Sequence, residues 1–565
     1  MKRSWFAIVL CGIAAFFFLS VIASAPQVGE GRMFFDSPDE TANYFWTQRV
    51  ADGKPLWYEE PLEVIGNSLL KPRSINVVGT RVVPGSFIGL PLLYGYMAKW
   101  LGVNAIPYLT PLFASLAVIA FGFLMRKLCD PVMGLLSAAL LAVLPPWFYY
   151  ASRGMYHNVL FVSLVIVGIC LLVNVCFWIP SISVRNDGSG KTYLREVIKL
   201  ITYGIAGLFI GFSLVVRSSE LIWVASLVFF CLLFLWRRVN ILGLMLFLAC
   251  GLFAFIPLFV NNIALYGAPI SIGYRGVQGM ELGDFISKLP EPQFRNLFFA
   301  PFGISMGQIR ITVVRFLVEF YWWWFLAVVA GVMTVVARMT RKRDRREIKT
   351  WGGYLLVAAV AGTVLIVYYG SWAFSDRIDR QIVSLNTSFF RYWLPIFVLG
   401  IPVIAALIVH SARLMKSKWL QVIAMCALVA AFALPSAMKV LNGTDESLWK
   451  VQVRLHTAPL ELAALQAVVP RDAVVVTFPQ ADKVLFPVYP RLISALVTPE
   501  DYRAVGQLAQ KLPVYYYTYA PPEFVEFIIA PVFKSHGLQV REGKEVFTHR
   551  WVWRILPDMG SFALR

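Results

Sequence analysis

The sequence predicts a polytopic α-helical membrane protein of about eleven spans that ends in a small extracytoplasmic α/β domain, and three observations predict it. Across 565 residues the mean hydropathy is +0.67, with 58% hydrophobic and only 15% charged residues. A soluble core of this size needs far less apolar material. Apolar runs of roughly 20 residues, the length that crosses a bilayer as a helix, recur along the chain. The net charge of +19 is concentrated in the loops between alternate runs, while the segment after residue 443 is nearly balanced. That distribution is the positive-inside pattern of membrane topology, and no nucleic-acid partner is expected from it.

In chain order, Met1, Lys2 and Arg3 precede an apolar run over 5–25 that ends Ala23-Ser24-Ala25. It resembles a secretory signal, but Pro26 directly afterwards disfavours cleavage. Under either reading the basic start stays in the cytoplasm and the next loop faces outward. Residues 26–104 form that first loop, polar and aromatic, with Pro55, Pro61, Pro72 and Pro84 as breakers. Its last part, 83–101, is apolar but interrupted by proline and glycine, so a juxtamembrane helix is expected there. Spans follow at 107–125, 132–150, 155–179, 200–216, 221–236, 241–260, 311–336, 351–370, 392–410 and 420–437. Each expected inner loop is basic, and RMTRKRDRREIK is the densest. The expected division is a multipass module over 1–440 and an extracytoplasmic domain over 441–565.

In that last segment, 473–478, 514–519 and 546–555 read as strands and 460–469, 499–512 and 522–536 as helices. Asp472, Asp482 and His536 stand isolated there and read as surface groups. Trp322, Trp323 and Trp324 read as an interfacial belt. Two glycosylation acceptor patterns begin at Asn386 and Asn442. The seven cysteines lie in or beside apolar runs, which argues for neither disulfides nor a zinc site.

The first loop opens on Asp36-Ser37-Pro38-Asp39-Glu40, three carboxylates in five residues where the chain leaves the membrane. This is expected to be a solvated acidic site. Ser37, Pro38 and the two following acids also suit the start of a helix, so capping and chemistry are both served by the same residues. Other charges fall at the outer ends of spans: Arg153 with Tyr156 and His157, Arg217 with Glu220, Tyr274-Arg275 after YGAPISIG, and Arg377, Arg380 and Arg391 before the run YWLPIF. A charge at mid-bilayer costs about 2.5 to 3.5 kcal/mol on insertion scales, so such groups face a cavity or the lipid headgroups. Arginines at a membrane rim also snorkel to lipid phosphates.

The loop PDETANYFWTQRVADGKPLW, the apolar segment GLPLLYGYMAKWLG, a span ending in Arg-Lys, and the motifs YGAPISIGY and RYWLPIF together resemble the GT-C membrane glycosyltransferases. The resemblance is strongest to the branch holding the lipid A aminoarabinose transferases and the protein O-mannosyltransferases, and it covers most of the membrane part. The Lys-Pro-Pro run of the aminoarabinose transferases is missing after the acidic pair. What the resemblance implies is transfer of a sugar, with inversion, from a polyprenyl-phosphate donor to a lipid, glycan or protein acceptor at the membrane. Asp39 would then be the catalytic carboxylate, with Glu40 and Asp36 beside it. Guanidinium groups suit a leaving lipid phosphate, which points to Arg217 and Arg391, then Arg377 and Arg380. Tyr156, His157, Tyr274 and Arg275 are expected to line the substrate site. A divalent cation, Mg2+ or Mn2+, would take Asp36 and Asp39 as its oxygen ligands if one is used. The competing reading is a lipid or glycan flippase that captures an anionic headgroup with the same rim charges. Transporters usually carry internal repeats and broken polar helices, and neither is evident here.

Overall fold

The computed structural model describes residues 3–26, 33–177, 190–270, 303–342, 345–372, 383–477 and 481–558. Among them ten helices are long and apolar enough to cross a membrane, or eleven when one bent pair is taken as a single span. These correspond one for one to the apolar runs of the sequence, so the chain is a multipass membrane protein. The bent pair is Pro131–Ala142 and Pro145–Ser152, related by 55°. Pro145 and Pro146 lack the amide hydrogens that would continue the first helix, which breaks the run expected to cross in one piece. The run expected from 311 is broken too: a helix Met306–Val313 passes through a π-helical turn, Val314–Glu319, before the span Trp322–Lys342 begins.

The chain forms two compact units. The first comprises Met1–Ala25, Pro107–Leu258 and Gly283–Lys450. At its centre are the spans His157–Phe177 and Leu394–Ala412, whose most apolar windows are 83% and 72% buried, while Lys418–Leu441 is 11% buried and peripheral. The N-terminal helix Arg3–Ala23 buries Phe6, Leu10, Ala14, Phe17 and Val21, one stripe at helical spacing. Gly190–Val216 crosses Ile241–Phe253 at small residues: a Cβ on Gly207 would stand 2.0 Å from the Phe247 carbonyl oxygen. Such close backbone approach is how helices associate where lipid removes the hydrophobic drive. Of the expected tryptophan belt only Trp322 is strongly exposed, at 57%; Trp324 is buried against Phe397 because the first turn of its helix winds it inward.

The second unit comprises Pro26–Ile106, Phe259–Leu282 and Val451–Arg565, so the first loop and the C-terminal segment fold together. The loop supplies a three-stranded antiparallel sheet of β1 (Tyr58–Glu59), β2 (Ile75–Val78) and β3 (Arg81–Pro84), in the order β1-β3-β2. Gly79, at φ +63, opens the two-residue turn between β2 and β3. The C-terminal segment supplies β4 (Val474–Thr477), β5 (Leu492–Ile493), β6 (Val514–Thr518), β7 (Leu538–Phe547) and β8 (Arg550–Pro557), in the order β5-β4-β6-β8-β7. Here β4 is parallel to β5 and β6, and β8 is antiparallel to β6 and β7. Helix Pro499–Ala509 packs on this sheet and starts with a capping box, Thr498 with Asp501. Leu70 of the first loop lies in the same core as Val474, Val505, Leu508 and Val514, with Leu62, Ile65 and Leu69 against it. The expected juxtamembrane helix is Gly89–Leu101, 13 residues and therefore about 20 Å long, short of the roughly 30 Å hydrocarbon core.

Glu63, in the short helix Glu63–Gly66, is 4% exposed. Burial pushes its carboxyl up to about 7, only partly offset by the amides of Ser68 and Leu70 and the ammonium of Lys71. A raised carboxyl favours the protonated folded form, so its contribution is complete below the ordinary value of 4.5 and is lost as the pH rises to about 7. E63Q, which mimics the neutral acid, is expected to raise the thermal midpoint at pH 8 and leave it unchanged at pH 4.5. Identical melting of E63Q and wild type at both pH values would rule this cost out.

Candidate active site

The acidic segment leads into the helix Pro38–Ala51. Ser37 is its N-cap, with the hydroxyl accepting from the Asp39 amide at 3.2 Å, and Pro38 opens the first turn. Asp39 and Glu40 therefore sit at the positive end of the helix, where a carboxylate is stabilised. The helix is held from the side by Gly89–Leu101: a Cβ on Gly95 would stand 2.4 Å from that of Val50, so only glycine fits this contact.

The three acids are not solvated as the sequence predicts. Asp36 and Glu40 are 8% and 1% exposed, and Asp39 is half-buried. The reason lies in the C-terminal segment. Lys483 Nζ donates to Asp36 Oδ1 at 2.7 Å and to the Asp36 carbonyl at 3.2 Å, while Arg454 donates to Oδ2 at 2.9 Å. Asp36 is thus a neutralised anchor, and its two cations are what make its burial affordable. Asp39 Oδ1 accepts a hydrogen bond from the Ser74 hydroxyl. Glu60 is bound by Arg491 at 3.0 Å. Asp482, which reads as a surface group, is 1% exposed and accepts the Arg73 amide at 2.7 Å. Lys483, Arg454 and Ser74 carry no sequence signal for this role, since they lie 447, 418 and 35 residues from their partners.

In the first unit, a second cluster forms from four separated segments. Arg217 is 5% exposed and bonds Glu220 through Nε at 2.9 Å. Glu220 also accepts from Tyr369 at 2.6 Å and from the Trp223 indole at 2.6 Å. The Arg217 guanidinium lies 4.8 Å from the Tyr392 ring centre, and Tyr392 stacks on Tyr369. Arg391 stands over both Tyr392, at 5.2 Å, and Tyr156, at 5.1 Å, and donates to the Ser388 hydroxyl. Arg153, 1% exposed, faces Tyr156 from 5.5 Å and donates to the Tyr149 hydroxyl. Tyr156 donates to Asn386 at 2.9 Å, which engages the first of the two acceptor-pattern asparagines. His157 follows Tyr156 and is buried. Arg217, Arg391 and Tyr156 are therefore brought together with Arg153 and Glu220, which the sequence sets beside them, and with Tyr369 and Tyr392, which it does not single out. Tyr274, Arg275, Arg377 and Arg380 lie outside the described residues.

An apolar cavity of about 430 Å3 runs through the first unit. Trp223, Val165, Ile169, Phe234 and Val398 line it, together with Arg238 and Lys349. From Trp223 to Leu235 the lining helix advances about 18 Å. Trp223 joins this cavity to the arginine cluster through its bond to Glu220.

The acids offer a divalent ion a poor site. Both Asp36 oxygens already serve cations, and among the described residues no group of three or more His, Cys, Asp or Glu side chains gathers to hold a metal.

No family model and no curated protein sequence matches the chain. Solved structures do. The chain is similar to the oligosaccharyltransferase of Archaeoglobus fulgidus in its apo form, with a TM-score of 0.54 at 12% identity over 93% of this chain and 70% of that one. The same organism's AglB, in complex with an inhibitory peptide and a dolichol-phosphate, gives 0.54 at 13% identity over 92% and 69%. ArnT from Cupriavidus metallidurans, bound to undecaprenyl phosphate, gives 0.51 at 12% identity over 98% of both chains. Over these shares of its length the chain has the same fold as these oligosaccharyltransferase and ArnT structures.

Proposed function

We propose that this protein transfers a sugar from a polyprenyl-phosphate donor to an acceptor hydroxyl or amine at the outer face of the membrane. The observation that carries the reading is the match over 98% of both chains to an ArnT structure that holds undecaprenyl phosphate. The chemistry of the two clusters supports it. Asp39, half-buried at a helix N-terminus and oriented by Ser74, takes the acceptor proton as the acceptor oxygen or nitrogen bonds to the anomeric carbon. The bond from that carbon to the phosphate oxygen breaks on the opposite side, which inverts the anomeric centre. The phosphate leaves with the bonding electrons and gains charge, and a guanidinium is suited to receive it.

Arg391 and Arg217 are the candidates for that part: Arg391 donates to the Ser388 hydroxyl and stands over the Tyr156 and Tyr392 rings, and Arg217 pairs with Glu220. The apolar cavity beside Trp223 suits a polyprenyl chain. No step needs a metal ion: deprotonation belongs to Asp39 and charge neutralisation to the arginines.

The test is to incubate membranes holding the protein with radiolabelled undecaprenyl- and dolichyl-phosphate hexoses and pentoses and to follow the label. Transfer to a lipid, glycan or protein is expected for at least one donor. Movement of intact donor between leaflets without transfer would favour a flippase instead. The basic loops support a cytoplasmic N-terminus and an external C-terminal segment. A cysteine introduced near Arg565 is accordingly expected to react with an impermeant reagent on intact cells; reaction only after lysis would reverse the topology.

A further inference from the structure

Ser74 lies just before β2 with φ +68, a left-handed backbone conformation that glycine adopts freely and L side chains avoid. Three contacts keep it there. The Gly85 amide donates to the Ser74 carbonyl at 3.1 Å, and a Cβ on Gly85 would stand 2.8 Å from that carbonyl, so the two backbones touch. On the other side the Arg73 amide donates to Asp482 Oδ2 at 2.7 Å. Asp482 is 1% exposed, and the Ser494 hydroxyl approaches the same oxygen at 3.4 Å. Burial raises the Asp482 carboxyl, against the lowering effect of the Arg73 amide. The outcome of this bracing is that the Ser74 hydroxyl meets Asp39 Oδ1. Glycine would satisfy the backbone without strain, so what the serine adds is its hydroxyl. Strain retained at one residue beside a reactive group is the pattern of a functional constraint.

We infer that Ser74 is a positioning residue for the Asp39 carboxylate, held in its left-handed conformation by Gly85 and by Asp482 of the C-terminal segment. The hydroxyl fixes one carboxylate oxygen and favours the charged form, the form in which a carboxylate takes a proton. The C-terminal segment then serves the transfer through Asp482. This rests on the reading of Asp39 as the base.

The experiment uses the purified full-length protein and the radiolabelled undecaprenyl- or dolichyl-phosphate sugar that wild type turns over fastest. S74G removes the hydroxyl and relieves the backbone, so its thermal midpoint is expected to equal or exceed that of wild type. Its kcat is expected to fall about 10- to 100-fold with donor KM unchanged, and the acid limb of the pH profile to move to higher pH. D482A is expected to lose kcat similarly, and D482N, whose amide oxygen still accepts, to recover most of it. Wild-type kcat in S74G, or a parallel drop in kcat and thermal midpoint with an unmoved pH profile, overturns the assignment. D39N separates the two levels: if D39N is inactive while S74G is normal, only the role of Ser74 falls. If D39N still transfers sugar, or wild type moves no label, the base assignment falls and takes Ser74 with it.

Discussion

D39N is expected to lower sugar transfer by a factor of about 10² to 10⁴, the range attributed to a positioned general base, while the amount of folded protein stays the same. The structure explains why the fold tolerates the change. The asparagine oxygen can still accept from the Ser74 hydroxyl, and the shape of the side chain is kept. The charge lost at the helix N-terminus is worth about 0.3 to 1 kcal/mol. D36N is a useful contrast, because Asp36 binds Lys483 and Arg454 and its loss leaves two cations without their shared anion. That variant is expected to lower the melting temperature as well as the rate. The decisive measurement is initial transfer rate and thermal midpoint for both variants, and full turnover by D39N would remove Asp39 from the mechanism.

The two arginines that the sequence treats alike are expected to separate on mutation. R217A leaves Glu220 charged and without its ion-pair partner at 2% exposure, a change that typically costs about 3 to 5 kcal/mol. Its melting temperature in detergent is expected to fall sharply, and R217A/E220Q to regain part of the loss. R391A removes a half-buried guanidinium that donates to the Ser388 hydroxyl and stands over two rings. It is expected to keep the fold and weaken binding of undecaprenyl phosphate by roughly 10- to 100-fold, the worth of a hydrogen bond to a charged group. Both are read by thermal unfolding with and without undecaprenyl phosphate. Unchanged binding by a well-folded R391A would end its role at the phosphate, and an undiminished melting temperature in R217A would refute the structural role of that pair.

Much of the membrane architecture was legible without coordinates because hydrophobic length and loop charge are local properties. A span needs about 20 apolar residues whatever it packs against, so even the broken run 131–152 was found, although the 55° bend at its prolines was not. Capping at Ser37-Pro38 was equally local, since each partner lies within one helical turn. In the C-terminal segment the strands at 473–478 and 514–519 and the helix starting at 499 are legible from alternation and turn residues, whereas the run 546–555 is the end of β7, a hairpin turn and most of β8, and the helix read at 460–469 is Leu448–Gln466. The first loop is harder: β1, β2 and β3 are only two to four residues long, and Leu70 is buried by a core whose other members are distant in the chain.

The amino-acid order alone therefore determined how often the chain crosses the bilayer, which loops are basic, and that carboxylates and guanidiniums collect near span ends. Only the tertiary structure decided which partners those charges meet: Asp36 meets Lys483 and Arg454, Arg217 meets Glu220, and Asp39 accepts from the Ser74 hydroxyl. The physical reason is range. Hydropathy acts residue by residue along the chain, whereas a hydrogen bond or ion pair forms across about 3 Å between groups that can be hundreds of positions apart, and no periodicity in the sequence records that meeting.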